Sequence, residues 1–263
     1  MQENSDNLSQ RNYNFYKDYS LSHYYNDYLS NSESVYQFQL SHWELNLITS
    51  IIGTDASDKK ILILGLGFGR ELDHLLKLFI MCRLQIDIID FNEKFINAAS
   101  LIYNINAVKF RQLDLNLTCY EFPSNDYDFV IALNTLEYLS DDAYKYLFYK
   151  LSSAMTLNGE IIFRHYNNDF FFSFIDKRNI KNRPSDMPTL ILRPYNTMIS
   201  VVGQNFYIFK KIPMSLRIHS RIVNWMYNDS LAGLTWLLEK FLVRLLPVRL
   251  ARSVYIVARL KQP

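Results

Sequence analysis

The chain is short of the residues on which several protein classes depend. Among its 263 residues are only two cysteines, Cys82 and Cys119, with no CxxC pair and no histidine companions. A disulfide framework and a zinc site are both unsupported, no metal is expected, and a reducing compartment fits. Long apolar runs are missing too: Ile61–Leu64 and Phe129–Leu133 fall far below the ~18 residues that a bilayer span requires. The stretch from Met1 to Asp6 has neither the basic nor the apolar block of a signal peptide, so a cytoplasmic, soluble protein is expected. Charge of one sign is also lacking. Lys and Arg number 28 against 26 Asp and Glu, and the resulting +2 suggests no partner gripped through phosphates, so no nucleic acid is expected.

Apolar material is abundant. Hydrophobic residues make up 49% of the chain and aromatics 15%, which places it among globular proteins with a real core. The length suits one generous domain, or one domain with a cap.

Residues 1–57 are rich in Tyr, Asn and Ser and contain no strand-like run, while the apolar spacing from Ser34 to Ile52 suits a helix. They predict an N-terminal helical cap. From Lys60 short β-rich runs alternate with helical stretches. Strands are expected at Ile61–Gly65, Leu84–Asp90, Val108–Asp114, Asp128–Asn134 and Glu160–His165, with helices at Arg70–Met81, Asn92–Asn104 and Asp141–Met155. That alternation predicts an α/β fold with a parallel, doubly wound sheet across 58–263. Later come a polar, basic loop at Lys177–Pro188, a short helix at Asn196–Gly203 ended by its glycine, and a strand at Asn205–Ile212. A helical insertion is expected near 214–250, mostly buried through Leu234, Trp236, Leu237, Leu238, Phe241, Leu242, Val243 and Leu245, and a final strand at Ser253–Leu260. The two late strands are placed to close the sheet with an antiparallel edge.

Glycine is scarce, seven in all, yet Gly65, Gly67 and Gly69 stand within five residues. They lie where a buried strand turns into a helix. Missing side chains there let the backbone approach a ligand, and a helix amino end offers free N–H groups, so a nucleotide-containing ligand is implied. The pattern is GxGxG, with Arg70 where a dinucleotide fingerprint needs a third small residue. Asp90 closes the second strand, where a carboxylate can accept both hydroxyls of a ribose. Asp114 closes the third, in reach of an adenine amino group. Each acid read alone is equally a loop or helix-capping residue; in register after successive strands they support one another.

With these motifs in place, residues 59–166 resemble the core of the class I S-adenosylmethionine-dependent methyltransferases, of the small-molecule type. The resemblance rests on the GxGxG loop, the acids Asp90 and Asp114, the stretch Asn125–Leu139 with its Asp126-Tyr127-Asp128-Phe129-Val130 run, and the turn Leu157-Asn158-Gly159-Glu160. It implies a Rossmann-like sheet of seven strands with the last antiparallel, S-adenosyl-L-methionine as cofactor, and methyl transfer. Carried residue by residue, it implies a cofactor site of Gly65, Gly67, Gly69, Arg70, Asp90, Phe91, Asp114, Leu115 and Asn134. Ile63 stands where members often carry an acid that anchors the methionine end, and Arg70 with Glu71 could substitute for it.

Methyl transfer from a sulfonium is an in-line displacement, so alignment and exclusion of water matter more than a strong catalytic group. A base would sit beyond the fourth and fifth strands, where His165 and Glu137 fall. Each has an alternative reading, as a structural histidine and as a capping or solvated acid. In the resembling family the helices before the first strand wall the acceptor pocket, which nominates Tyr16, Tyr24, Tyr25 and Tyr138 as substrate contacts, although tyrosines there also pack. The acceptor is expected to be a small molecule, hydrophobic or anionic, methylated on O or N. Two other classes stay open: a dinucleotide-dependent oxidoreductase, disfavoured by Arg70 and Asp114, and an adenosyl-cofactor-binding protein that lacks transfer activity or uses another sulfonium chemistry, kept open by Ile63.

Overall fold

The computed structural model describes residues 5–18, 35–53, 58–65, 75–76, 79, 82–103, 106–169, 190–215, 238, 241–245 and 247–262. Among these, helices α1 (Ser5–Asp18) and α2 (Val35–Ile52) precede strand β1 (Lys60–Leu64). There follow β2 (Gln85–Asp90), α3 (Glu93–Ile102), β3 (Val108–Gln112), β4 (Tyr127–Ala132), a 3-10 turn at Leu136–Tyr138, α4 (Asp141–Ala154) and β5 (Met155–Tyr166). The chain closes with α5 (Tyr195–Asn205), β6 (Phe206–Ser215), a second 3-10 turn at Val248–Leu250 and β7 (Ser253–Leu260).

The seven strands form one sheet in the order β3-β2-β1-β4-β5-β7-β6. Strands β1 to β5 pair in parallel, whereas β7 runs antiparallel to both neighbours. The expected Rossmann-like sheet of seven strands, with its last strand antiparallel, is the fold of this chain. The central strand β1 is an unbroken apolar run after Lys60 because both of its faces are covered. On β1, Leu62 and Leu64 face a core that also holds Tyr144, Leu147, Phe148 and Leu151 of α4 and Met198 and Val202 of α5. Ile61 and Ile63 face the opposite core with Ile48 and Ile52 of α2, Leu75, Leu76, Phe79, and Ile96 and Ala99 of α3. At roughly 1.5–3 kcal/mol per fully buried aliphatic side chain, these two layers supply the main stabilisation.

Local signals set the helix starts. The Ser140 side chain accepts the Ala143 N–H to open α4, and Asn92 accepts the Lys94 N–H to open α3. Helix α5 does not stop at Gly203 but continues to Asn205, where Phe206 turns extended and enters β6 directly. Strand β5 begins at Met155, earlier than its sequence suggests, because the chain turns extended at the very end of α4; its register against β4 shifts between Tyr127 and Phe129, so the Asn158-Gly159 stretch is accommodated as an irregularity within the strand. Strand β6 is an edge strand that carries Pro213 and two register shifts.

Parts of the predicted organisation lie outside the described residues: the loop at 177–188, most of the helix at 70–81 and most of the insertion at 214–250. Leu75, Leu76 and Phe79 are helical and buried, in keeping with the first of these helices. The expectation of a mostly buried helix before Pro247 is corrected by its described part, where Val243 is buried while Leu238, Phe241, Leu242 and Leu245 are exposed. No helix among the described residues is long and apolar enough to cross a membrane.

Candidate functional site

Strand order reverses between β1 and β4, and in open α/β sheets ligands lie beyond the carboxyl ends of the strands at such a switch point. Gly65 leaves β1 there with φ +83°, a left-handed conformation that favours glycine, while its N–H donates 2.8 Å to the Ile89 carbonyl. Across the switch point the Thr135 hydroxyl donates 2.6 Å to the Leu64 carbonyl, and a Cβ built on Gly65 would run into that hydroxyl. Gly67, Gly69 and Arg70 lie outside the described residues.

Asp90 is the last residue of β2, and Asp114 stands two residues beyond the end of β3, whose Gln112 pairs with Asp90. Both acids are half-buried. Each carboxylate accepts the N–H two residues on, Asn92 at 2.9 Å and Asn116 at 2.9 Å, an Asx turn that fixes the side chain at the strand end. Two orientated carboxylates therefore stand on neighbouring strand ends at the edge where Gly65 turns. Phe91 is half-buried and stacks at 5.2 Å on Tyr13 of α1, while Leu115 is in the core. Helix α1 lies against this edge: Ser9 donates 2.6 Å to the Asn116 side chain, whose same oxygen accepts the Ser140 N–H at 3.1 Å, and the Asp141 N–H reaches the Ser5 hydroxyl at 3.4 Å. Tyr16 is in α1 but its side chain lies outside the described residues, as do Tyr24 and Tyr25.

Beyond β4 and β5 the residues Leu136, Glu137, Tyr144, Arg164, His165, Tyr166, Ile191 and Arg193 line a crevice. Arg193 builds its floor, donating to the Leu136 carbonyl at 3.0 Å, the Leu139 carbonyl at 2.5 Å and the Asp141 carboxylate at 3.0 Å, with its guanidinium 4.3 Å over the Tyr144 ring. Burial and the neighbouring positive charge of Arg193 push His165 down to about 3, against which a backbone hydrogen bond to Arg193 works only weakly. The fold therefore disfavours the protonated form of this histidine. Glu137 is buried in the 3-10 turn, and its carbonyl accepts the Ile191 N–H at 2.7 Å; Tyr138, next to it, is half-buried.

Sequence reasoning missed the polar group centred on Arg164, which also borders this crevice. Arg164 is buried, forms an ion pair with Glu44 of α2, and donates to Asn134 at 2.8 Å, the Tyr166 hydroxyl at 2.9 Å and the Tyr255 hydroxyl at 3.0 Å. The signal for it was the charge that interrupts the apolar run Ile161-Ile162-Phe163; its partners are too distant in sequence to be read from the chain. No group of His, Cys, Asp and Glu among the described residues is arranged to hold a metal.

Residues 61–159 match the family profile described as methyltransferase domain. A search of curated proteins found no match. Among solved structures, the chain is similar to the N-methyltransferase NodS from Bradyrhizobium japonicum in complex with S-adenosyl-L-homocysteine, at 10% identity and a TM-score of 0.58 over 99% of this chain and 100% of that one. It is similar to the Burkholderia thailandensis 1,6-didemethyltoxoflavin-N1-methyltransferase with bound 1,6-didemethyltoxoflavin and S-adenosylhomocysteine, at 9% identity and a TM-score of 0.58 over 100% and 92%. The [4+2]-cyclase SpnF shares the fold at 13% identity and a TM-score of 0.52 over 82% and 78%. Residues 61–159 thus match a methyltransferase-domain profile, and the chain shares the fold of the S-adenosylmethionine-dependent methyltransferases.

Proposed function

We propose that this chain transfers the methyl group of S-adenosyl-L-methionine to an oxygen or nitrogen atom of a small molecule. The observation that carries the reading is the pair of Asx-fixed carboxylates, Asp90 and Asp114, at adjacent strand ends beside the side-chain-free turn at Gly65. Their chemistry fits an adenosyl group: Asp90 would accept the ribose hydroxyls and Asp114 the adenine amino group, with Phe91 and Leu115 against the base and Asn134 beside the amino-acid end. Gly67, Gly69 and Arg70 are assigned to the same site from their place in the motif.

When bound, the cofactor supplies an electrophilic methyl group on a sulfonium. The chain's own part is to align the acceptor and exclude water. Helix α1, held over the strand ends through Ser9 and Tyr13, does the second. In this reading residues 1–57 form the cap, and Tyr16, Tyr24, Tyr25 and Tyr138 contact the acceptor. Of the two candidate bases, Glu137 is assigned the proton because it lines the crevice with a side chain able to accept one, whereas burial and the Arg193 charge disfavour the protonated form of His165, which serves as a wall.

Calorimetry of the purified chain with S-adenosylmethionine, S-adenosylhomocysteine and NAD tests the reading. Binding of the two sulfur nucleosides without NAD is expected, followed by a methyl-sized mass gain in small molecules incubated with enzyme and cofactor. Binding of NAD alone, or of none of the three, would overturn it.

A further inference from the structure

The net charge of +2 conceals a partition. Residues 1–186 carry 17 Lys and Arg against 24 Asp and Glu, whereas residues 187–263 carry 11 against two, Asp229 and Glu239. From 240 to 263 there are six cations, Lys240, Arg244, Arg249, Arg252, Arg259 and Lys261, and no acid. A charge so one-sided along the chain is the mark of a surface that meets anions.

The same segment exposes apolar side chains in register. Residues 238 and 241–245 are helical. Leu238, Phe241, Leu242 and Leu245 are 45%, 62%, 40% and 65% accessible, and they follow the i, i+3, i+4, i+7 spacing of a single helix face. Val243, on the opposite side by the same spacing, is buried and faces inward. Arg244 is exposed at the flank of the apolar row, and Arg249 is exposed in the 3-10 turn that follows Pro247. That turn packs on β6, where Lys210 and Lys211 are exposed as well.

An apolar row flanked by cations has the anatomy of a helix that lies in a headgroup layer. Leucine and phenylalanine enter the acyl boundary, while arginines reach the phosphates. Nucleic acid would neutralise the arginines but leave the Leu and Phe row in water. A second copy would cover the row, yet a two-fold pairing of this face sets Arg244 and Arg249 against their own counterparts. An anionic lipid surface satisfies both the row and the charge.

We propose that the face formed by Leu238, Phe241, Leu242 and Leu245, with Arg244 and Arg249 beside it, docks the chain peripherally on an anionic lipid surface. The docking is independent of the methyl-donor reading, since none of these residues is assigned to the cofactor or the acceptor.

Sedimentation of the full chain with vesicles tests it, using phosphatidylcholine alone and phosphatidylcholine with about one third phosphatidylserine. Wild type is expected to bind the mixed vesicles about tenfold or more tighter than the neutral ones, and to be released as salt rises. Phe241→Gln with Leu245→Gln should weaken binding to the mixed vesicles about tenfold or more and leave the melting temperature unlowered, because both side chains are exposed. Arg244→Gln with Arg249→Gln should lose a similar factor on the mixed vesicles and nothing on the neutral ones. Should the first pair fail to fold, the arginine pair decides alone. Equal binding of wild type to both vesicles, no binding to either, or full binding by a folded paired variant overturns the proposal. So does a dimer in ultracentrifugation that Phe241→Gln with Leu245→Gln dissolves, or salt-sensitive binding of single-stranded RNA, where no vesicle binding accompanies it. S-adenosylhomocysteine affinity should stay within about twofold in both paired variants, so failure of the docking leaves the methyl-donor reading intact.

Discussion

Thr135 occupies the space that a side chain on Gly65 would need. Its hydroxyl is anchored 2.6 Å from the Leu64 carbonyl, and the Cβ of Thr135 would lie 3.2 Å from one built on Gly65. The switch point of the sheet is therefore closed by a matched pair, one residue without a side chain and one whose side chain fills the gap.

Gly65→Ala should destabilise the protein by at least about 1 kcal/mol, because it combines a positive φ with a steric conflict. Gly65→Ala with Thr135→Ala should regain the steric part and retain the backbone part. Chemical denaturation of the three variants measures this. Equal stability of Gly65→Ala and wild type would contradict the geometry.

Asp90→Ala is expected to weaken S-adenosylhomocysteine by about 1 to 3 kcal/mol, the loss when ribose hydroxyls are deprived of a charged acceptor. Because the carboxylate also takes the Asn92 N–H, Asp90→Asn is the better control: it keeps an acceptor for the turn and removes the charge. Titration calorimetry on both variants reads the outcome, and unaltered affinity in both removes the ribose assignment.

His165 should make the protein acid-sensitive. Its proton affinity is lowered on folding, from 6.5 to about 3, chiefly by burial. The unfolded chain therefore takes up a proton that the native one refuses. Stability from this group is complete above pH 6.5 and is lost as pH falls toward 3, by up to about 1.4 kcal/mol per pH unit. Urea denaturation of wild type and His165→Gln at pH 7, 6 and 5 should give the shallower pH slope in the variant. Parallel slopes would mean that the histidine is not held neutral.

Helix α1 is fastened by polar contacts, and Ser9 is its centre. Ser9→Ala leaves the Asn116 side chain its bond from Ser140, so the cost should be near 1 kcal/mol and local. Hydrogen exchange should quicken in 5–18 and stay unchanged in the strands. Uniform protection in the variant would show that the helix is held otherwise.

The sheet was largely legible in the sequence. Ser253–Leu260 reads as a strand because a β-branched apolar run follows a proline stop, and Ile88-Ile89-Asp90 announces its own end with a polar residue after buried ones. The acids were legible for the same reason, since they stand where apolar periodicity breaks. The partners of Arg164 were not. Glu44 is 120 residues away and Tyr255 is 91, and only the folded sheet brings them together. The lowered proton affinity of His165 was not legible, because strand alternation tells which face a side chain takes but not that Arg193, from beyond β5, covers it. Boundaries failed where one element runs straight into the next: no glycine or proline marks the change at Ala154 to Met155, and at Asn205 to Phe206 the helix passes through Gly203 before it ends.

Strand β6 has a neighbour on one side only, and its open rim would otherwise invite another chain to extend the sheet. Pro213 withholds an N–H, two shifts of register break the regular ladder, and the exposed Lys210 and Lys211 repel a like strand. The side of the molecule remote from β2 and β3 is thereby guarded against strand-to-strand aggregation.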